Sequence, residues 1–283
     1  MHVVVHRTAG EFLASAEAAL LRAEALHNLI LGVVARVRDG QSYGASPPYF
    51  LTVEEGGELL VAAARTPPHP LILAVPSGDL GAIESLVDHL VDWDPDLPGV
   101  NGLVPHASAF ARLWAQCRPV TVEVGMELRI HELREVIPPS GVPGVLRAPE
   151  DAERDLLASW IRAFQAEALP DDPPTDPHEI LARFVAGRAT LRVWDHGGPV
   201  SMAAGSRASV HGARVSLVYT PPEHRGRGYA SACVAALSQL LLDEGYAFCT
   251  LYTDLANPTS NKIYRRIGYR PIGSAAVYRF LPR

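Results

Sequence analysis

A turn rich in glycine and arginine lies in the C-terminal half of this 283-residue chain, between a predicted strand and a predicted helix. It belongs to the stretch 215–231, VSLVYTPPEHRGRGYAS. A helix that begins at such a turn presents free backbone N–H groups and the positive end of its dipole, which together attract an anion. Gly226 and Gly228 allow close approach of the backbone, and Arg225 and Arg227 add positive charge. The turn therefore predicts a site for a phosphate-bearing ligand.

Two familiar phosphate-binding motifs fit this turn poorly. A P-loop ends in Gly-Lys-Ser/Thr, whereas Tyr229 follows Gly228 here. A dinucleotide fingerprint has Gly or Ala three residues further on, where this chain has Ser231. A tight strand-to-helix turn with solvated arginines and no ligand remains the alternative interpretation of the turn taken alone.

A second motif, residues 257–269 with the sequence NPTSNKIYRRIGY, has the residues that begin and end a short helix. Asn257 is a favoured N-cap, and Pro258 suits the first helical position. Gly268 supplies the left-handed residue that ends a helix. The motif therefore predicts a helix from about residue 259 to residue 267.

Together these two motifs resemble those of GNAT acetyltransferases. The segment 225–230, RGRGYA, resembles the Arg/Gln-x-x-Gly-x-Gly/Ala signature of that superfamily, and it follows a strand and a Pro-Glu-x-Arg-Gly turn as it does there. The segment 257–269 resembles the family's second motif, an Asn-x-x-(Ser/Ala)-x-x-x-Tyr helix that ends in Gly-Phe/Tyr. The resemblance covers about half of the chain, residues 144–283, and the two motifs are specific in combination.

The resemblance implies a V-shaped splay between the strands 215–219 and 247–254, where the pantetheine of acetyl-CoA, the co-substrate, inserts like an extra strand. Backbone groups of residues 217–219 would hold the acetyl and pantetheine amides, and the amides of residues 225–230 would hold the pyrophosphate. An amine would attack the thioester directly, and Tyr264 would protonate the leaving thiolate. The implied cofactor-binding residues are Leu217, Val218, Tyr219, Arg225, Gly226, Arg227, Gly228, Tyr229, Ala230, Asn257, Ser260 and Tyr264.

Two of these residues have structural alternatives. Tyr264 lies four residues after Ser260, so the two share a helix face, and its ring could instead pack on the sheet. Asn257 would bridge the splayed strand or the cofactor, or it would only cap its helix.

No general base has comparable support. Glu167 on a predicted helix could face the substrate or be a solvated side chain, and Glu223 is assigned a structural role in the turn. A proton relay through water would remove the need for a side-chain base. The histidines show no metal-ligand spacing, so no metal is expected at His178, His196, His211 or His224.

The elements that must position these residues form two α/β (α+β) domains in tandem, each a mixed, mostly antiparallel twisted sheet flanked by helices. Residues 138–149, PPSGVPGVLRAP, contain four prolines and two glycines and are expected to be a linker. The N-terminal domain would span residues 1–137 and the catalytic domain residues 144–283. Both halves show helices, a hairpin at Gly-Gly, another strand and a helix. Residues 8–38 are predicted to form one or two helices, and the other predicted helices are 80–91, 108–116, 150–169, 178–186, 228–244 and 259–267. The predicted strands are 49–53, 58–64, 70–75, 120–130, 189–195, 199–207, 213–219, 247–254 and a terminal hairpin-like pair.

The N-terminal half has no comparable turn. Its best counterpart is predicted to be residues 99–108, GVNGLVPHAS, which lack both arginines and the Gly-x-Ala ending. We therefore expect that this half does not bind CoA and supplies a wall of the acceptor pocket. A degenerate front domain and an active rear domain resemble the glycine-N-acyltransferase-like (FR47-like) branch of the superfamily.

Composition restricts the partners. The formal net charge is -6 and no basic run is present, which disfavours nucleic acid. No apolar run is long enough to span a bilayer and no signal peptide is evident, so a cytoplasmic protein with no membrane partner is expected. The cysteines, Cys117, Cys233 and Cys249, are predicted to be small buried residues rather than a disulfide or zinc framework.

These patterns lead to an N-acetyltransferase that moves acetyl from acetyl-CoA to a primary amine of a small molecule or amino acid in a ternary complex. A non-catalytic acyl-CoA-binding sensor or scaffold is one alternative, and a protein N-terminal or lysine acetyltransferase is another. The acceptor, the acyl-chain preference and the oligomeric state, a homodimer included, are left open by the sequence.

Overall fold

The computed structural model describes residues 1–169, 175–185 and 189–283, except for the side chains of residues 185 and 258–261. The chain forms two compact units. Unit 1 contains Met1–Ile130, Asp254–Ala256 and Ile272–Arg283, and unit 2 contains His131–Thr253 and Asn257–Pro271. Both units are therefore discontinuous in sequence. Residues 272–283 count with unit 1, whereas the predicted C-terminal domain extended to residue 283.

Unit 1 is built on a mostly antiparallel sheet with helices on both faces. Its strands are β1 His2–His6, β2 Tyr49–Glu55, β3 Glu58–Arg65, β4 Leu71–Ala74, β5 Gly99–Leu103, most of β6 Val120–Leu133 and most of β12 Arg270–Pro282, and its helices are α1 Ala9–Leu20, α2 Asn28–Arg38, α3 Gly81–Trp93 and α4 Val104–Cys117. The strand order is β1-β2-β3-β4-β5-β12-β6, and the pair β4–β5 is parallel. Two clusters of buried side chains cover the faces of this sheet, one on α1 and α2 and one on α3 and α4.

Local signals explain most of the boundaries in unit 1. Thr8 caps α1 because its side-chain oxygen accepts the backbone N–H of Glu11 at 3.1 Å. Gly56 and Gly57 have φ of 58° and 85°, the left-handed pair that a two-residue hairpin between β2 and β3 requires. The sequence predictions of α1, α2 and this hairpin are confirmed.

Unit 2 repeats this plan. Its elements are β7 Val145–Arg147, α5 Arg154–Ala168, α6 Pro177–Val185, β8 Thr190–Asp195, β9 Pro199–Arg207, β10 Gly212–Tyr219, α7 Tyr229–Asp243, β11 Phe248–Asp254, whose last residue counts with unit 1, and α8 Pro258–Arg266. The strands β7, β8, β9 and β10 pair antiparallel in that order, and β10 pairs with β11 in parallel. One apolar cluster joins this sheet to α7 and α8, and another joins it to α5 and α6.

Element by element, the two units have the same order: a strand, two helices, three antiparallel strands, a helix, a parallel strand and a helix. This confirms the predicted tandem of mixed, mostly antiparallel sheets flanked by helices. Every helix in the described part of the chain is too short or too polar to cross a membrane.

Several details of the predicted elements are wrong. The C-terminal hairpin-like pair is one strand, β12, which pairs antiparallel with β5 from Ala275↔Leu103 to Arg279↔Gly99. Three strands were missed, β1, β5 and β7, and β7 lies inside the segment expected to be a linker. It pairs with β8 in spite of the neighbouring prolines, since an edge strand needs hydrogen bonds on one side only. Cys233 and Cys249 are buried as predicted, whereas Cys117 is exposed.

Candidate functional site

The strands β10 and β11 separate after a short parallel contact. Their paired residues run from Gly212↔Phe248 to Arg214↔Thr250, so residues 215–219 of β10 extend beyond the part that pairs with β11. This is the splay that was predicted between the two strands. On the side of β10 that faces β11, the backbone groups in such a splay are accessible to an extended ligand, because β11 no longer pairs with them.

A β-bulge lies in the separated part of β10. Ser216 pairs with Ala204 of β9 and Tyr219 pairs with Met202, so Leu217 and Val218 lie opposite one residue. Leu217 has a φ of 49°, which is rare for a residue with a branched side chain. Strain of this kind persists only where the surrounding structure enforces it, and it is concentrated at functional sites. The bulge takes the backbone of residues 217 and 218 out of the β9 ladder. These residues belong to the segment 217–219, which was predicted to bind the acyl group.

The turn after β10 leads into α7 through two left-handed glycines. Gly226 has a φ of 77°, and a Cβ there would meet no atom within 4 Å. Gly228 is the N-cap of α7 with a φ of 84° and has no side-chain cap. The first N–H groups of α7 therefore lack an intrahelical acceptor and point out of the helix at the positive end of its dipole. A Cβ at Gly228 would lie 2.9 Å from Cγ2 of Val142, so this position is restricted to glycine by conformation and by contact.

The two arginines of the turn have different surroundings. Arg225 Nη2 donates to the two carboxylate oxygens of Glu167 at 3.0 and 2.7 Å, and Arg225 Nε donates to the carbonyl of Thr220 at 2.9 Å. Arg227 is exposed and makes no ion pair with any residue in the described ranges. Arg227 thus leaves its charge available to a ligand, whereas the charge of Arg225 is already balanced by a carboxylate.

The helix α8 begins and ends as its sequence predicts. Asn257 directly precedes it, and Gly268, with a φ of 108°, follows it. The N–H of Gly268 donates to the carbonyl of Arg265 at 3.3 Å, and the N–H of Tyr269 donates to the carbonyl of Tyr264 at 3.0 Å. These two bonds form a Schellman motif. Ser260, whose side chain was predicted to bind the cofactor, lies outside the described side chains.

Tyr264 is a core residue of unit 2. It is 9% exposed, and its ring lies 5.9 Å from that of Tyr269 in an edge contact. Burial, with a smaller contribution from Cys233, raises the pKa of the Tyr264 hydroxyl above its ordinary value of 10.0. The side chain therefore remains protonated at neutral pH. The ring packs in the core, as one interpretation of the sequence expected, and the role of Tyr264 as an acid stays a prediction.

Both carboxylate oxygens of Glu167 accept from Nη2 of Arg225. Two of the histidines considered as metal ligands, His196 and His224, lie beside Tyr229, the first residue of α7. The ring of His196 is 5.9 Å from that of Tyr229, and the ring of His224 is 6.4 Å from it. Sequence reasoning found neither this aromatic group nor the bulge at Leu217, and no residue type in the stretch signals a left-handed leucine. Among the described residues, no group of three or more His, Cys, Asp or Glu side chains is placed so that it could hold a metal ion.

In unit 1 the counterpart of the turn before α7 is the connection between β4 and α3, whereas the counterpart predicted from the sequence was residues 99–108. Residues 99–103 form β5, which corresponds to β11. The β4–α3 connection contains no arginine, and the carboxylate of Asp79 accepts the N–H of Gly81 at 2.8 Å. The chain's own carboxylate thus lies where unit 2 leaves the helix start open to an anion.

Comparisons with known proteins agree with this geometry. Residues 195–279 match the family model described as FR47-like protein, and a search of curated proteins found no match. Similar solved structures include a tandem GNAT protein from the clavulanic acid biosynthesis pathway, with 15% identity, coverage of 99% of this chain and 98% of that chain, and a TM-score of 0.61. A GCN5-related N-acetyltransferase from Sphaerobacter thermophilus has 16% identity, coverage of 98% and 95%, and a TM-score of 0.62. A Drosophila protein has 12% identity, coverage of 99% and 98%, and a TM-score of 0.69.

At these identities the solved structures establish the fold. The chain shares its two-unit fold with these solved structures, and the region that matches the FR47-like model includes the splay, the glycine turn and α8.

Proposed function

We propose that unit 2 binds acetyl-CoA and transfers its acetyl group to a primary amine of a small molecule or amino acid, by direct attack in a ternary complex. The observation that carries this proposal is the continuity of the β10 bulge with the open N-terminus of α7. The bulge takes residues 217 and 218 out of register with β9, and the start of α7 has no side-chain cap, which supports binding of a ligand with an amide-bearing arm and a pyrophosphate.

The residues present fit such a ligand. Backbone groups of residues 217–219 would hold the acyl and pantetheine part, and the amides of residues 225–230 would hold the pyrophosphate, with charge from Arg227. The absence of a Cβ at Gly226 leaves open space above the turn. Bound acetyl-CoA would supply an activated thioester.

The chain's own residues supply little acid–base chemistry besides one proton. A tyrosine hydroxyl is protonated at neutral pH, and burial of Tyr264 raises its pKa further, so a proton is present for the leaving thiolate. Glu167 forms an ion pair with Arg225, and we do not assign it as the general base. We therefore assign deprotonation of the amine to water, and we assign the N–H groups released by the bulge to the stabilisation of developing negative charge.

Isothermal titration with acetyl-CoA tests the binding step. Gly228→Glu places a side chain and a negative charge at the start of α7, so it should abolish binding. Gly245→Glu is the matched control, because Gly245 also has a positive φ, 102°, at the other end of the same helix and a Cβ there meets nothing within 4 Å. Loss of binding in Gly228→Glu alone would support the site.

A screen of amines with the wild-type protein tests the transfer step. Release of CoA in the presence of one class of small amine is the expected result. Saturable binding without turnover across a broad panel would favour a non-catalytic sensor, turnover only with protein termini or lysines would favour a protein acetyltransferase, and absence of binding would refute the proposed function.

A further inference from the structure

The side chain of Arg225 connects three separate parts of unit 2. Its Nη2 bonds to Glu167 in the last turn of α5, and its Nε bonds to the carbonyl of Thr220 where β10 ends. Its guanidinium carbon lies 5.7 Å from the centre of the Tyr219 ring, over which it stacks. The side chain of Arg225 therefore connects the two ends of the turn, residues 220 and 225, and bonds the turn to α5.

The strand end that Arg225 holds is itself fixed from the core. Tyr219 is 7% exposed, and its ring lies 6.2 Å from that of Trp160 on α5. Ser201 Oγ donates to the carbonyl of Tyr219 at 3.1 Å and lies 2.8 Å from the hydroxyl of Thr220. Arg225 thus links the end of β10, which is fixed by Trp160 and Ser201, to the glycine turn.

Two roles are open to an arginine at this position. It could bind the ligand's phosphate directly, as its charge indicates, or it could hold the turn in the shape that aims the amides of residues 226–230. Two of the three guanidinium nitrogens of Arg225, Nη2 and Nε, already have protein acceptors, so direct binding would use Nη1 or displace Glu167. Nearby Arg227 is exposed and needs no such exchange.

We infer that Arg225 and Glu167 form a positioning pair that sets the shape of the anion-binding turn, and that Arg225 does not contact the phosphates. Their bond also joins the end of α5 to the glycine turn, so the two are held in one geometry. This inference rests on the proposed function for its consequence in CoA binding, but the positioning itself is a property of the free protein.

Hydrogen exchange of the free protein tests the positioning. Glu167→Gln removes the ion pair and should raise exchange of the amides in residues 220–228 by about two- to fivefold, the range for a half-exposed pair. Arg225→Lys should do the same, because an ammonium lacks the planar fork that reaches both partners. Glu244→Gln removes a negative charge at the far end of α7 and should leave this segment unchanged. Unchanged exchange in Glu167→Gln would overturn the inference.

Titration with CoA then separates positioning from direct contact. A positioning pair predicts that Glu167→Gln and Arg225→Ala each weaken CoA binding by about two- to fivefold and that the double variant is no weaker than either single variant. Arg162→Ala, an exposed arginine on α5, serves as the control for Arg225→Ala. Tighter binding in Glu167→Gln, or a loss of about tenfold or more in Arg225→Ala alone, would instead identify a direct phosphate contact and refute the inference. Failure of the wild-type protein to bind CoA would refute the proposed function, while the exchange result would still decide the positioning.

Discussion

Replacement of Gly228 by alanine should destabilise unit 2 for two separable reasons. The φ of 84° is a left-handed conformation, which costs a non-glycine residue about 1–2 kcal/mol. The new Cβ would also lie 2.9 Å from Cγ2 of Val142, and overpacking of this kind costs about 1–3 kcal/mol. We therefore expect Gly228→Ala to lower the free energy of unfolding by about 2–5 kcal/mol.

Two further variants divide this loss. Gly245 has a φ of 102° and open space around a Cβ, so Gly245→Ala measures the conformational part without a contact. Val142→Ala removes the methyl group that Gly228→Ala would meet. Gly228→Ala should lower the free energy of unfolding by more than Gly245→Ala does. This extra loss should largely disappear when Gly228→Ala is combined with Val142→Ala, and a double-mutant cycle measures the difference as a favourable coupling energy between residues 142 and 228.

Urea unfolding followed by circular dichroism, with midpoints compared across the variants, provides the assay. Equal losses in Gly228→Ala and Gly245→Ala, or no coupling between residues 142 and 228, would refute the contact argument. Affinity for CoA adds a second measurement, because a shift at the start of α7 should weaken binding in Gly228→Ala and leave it intact in Gly245→Ala.

Three further predictions concern protonation and reactivity. Tyr264→Phe should lower kcat by about 100-fold or more while the Kd for acetyl-CoA stays within a factor of about two; unchanged kcat in steady-state rates would remove Tyr264 from the role of acid. Hydrogen bonds from Arg147 lower the pKa of Glu153 from 4.5, so this interaction stabilises the fold above the unfolded-state pKa and is lost as pH falls below it. Glu153→Gln should therefore flatten the acid side of a plot of Tm against pH, and an unaltered plot would contradict this assignment. A thiol reagent should modify exposed Cys117 rapidly in the native protein and Cys233 only on unfolding, because burial raises the pKa of the Cys233 thiol to about 12; mass spectrometry of the labelled peptides would show the reverse order if the assigned exposures were wrong.

Elements with local signals were predicted well. The hairpin at Gly56-Gly57, the start of α7 at Gly228 and the stop of α8 at Gly268 all depend on residues within one turn of the chain. Their conformations follow from the absence of a Cβ at those glycines, so one sequence is sufficient to find them.

Elements that depend on distant partners were predicted poorly. β12 is a single strand because β5 pairs with five of its residues in register, from Ala275 to Arg279, and nothing in residues 270–282 signals that partner. β7 was taken for linker because of its prolines, although β8 offers it an edge. The counterpart of the α7 turn in unit 1 was placed at residues 99–108 because those residues contain glycines, whereas the repeat of strand order places it before α3.

The amino-acid sequence by itself determined the anion-attracting turn, the helix that carries Tyr264 and the tandem plan, because glycine conformations, caps and hydrophobic periodicity are local properties. Only the tertiary structure decided that Leu217 adopts a left-handed conformation in a bulge, that Arg225 is held by Glu167, and that residues 272–283 count with unit 1. Each of these depends on an atom contributed by a segment distant in the chain, and the free energy of such a contact has no signature in the residues on either side of it.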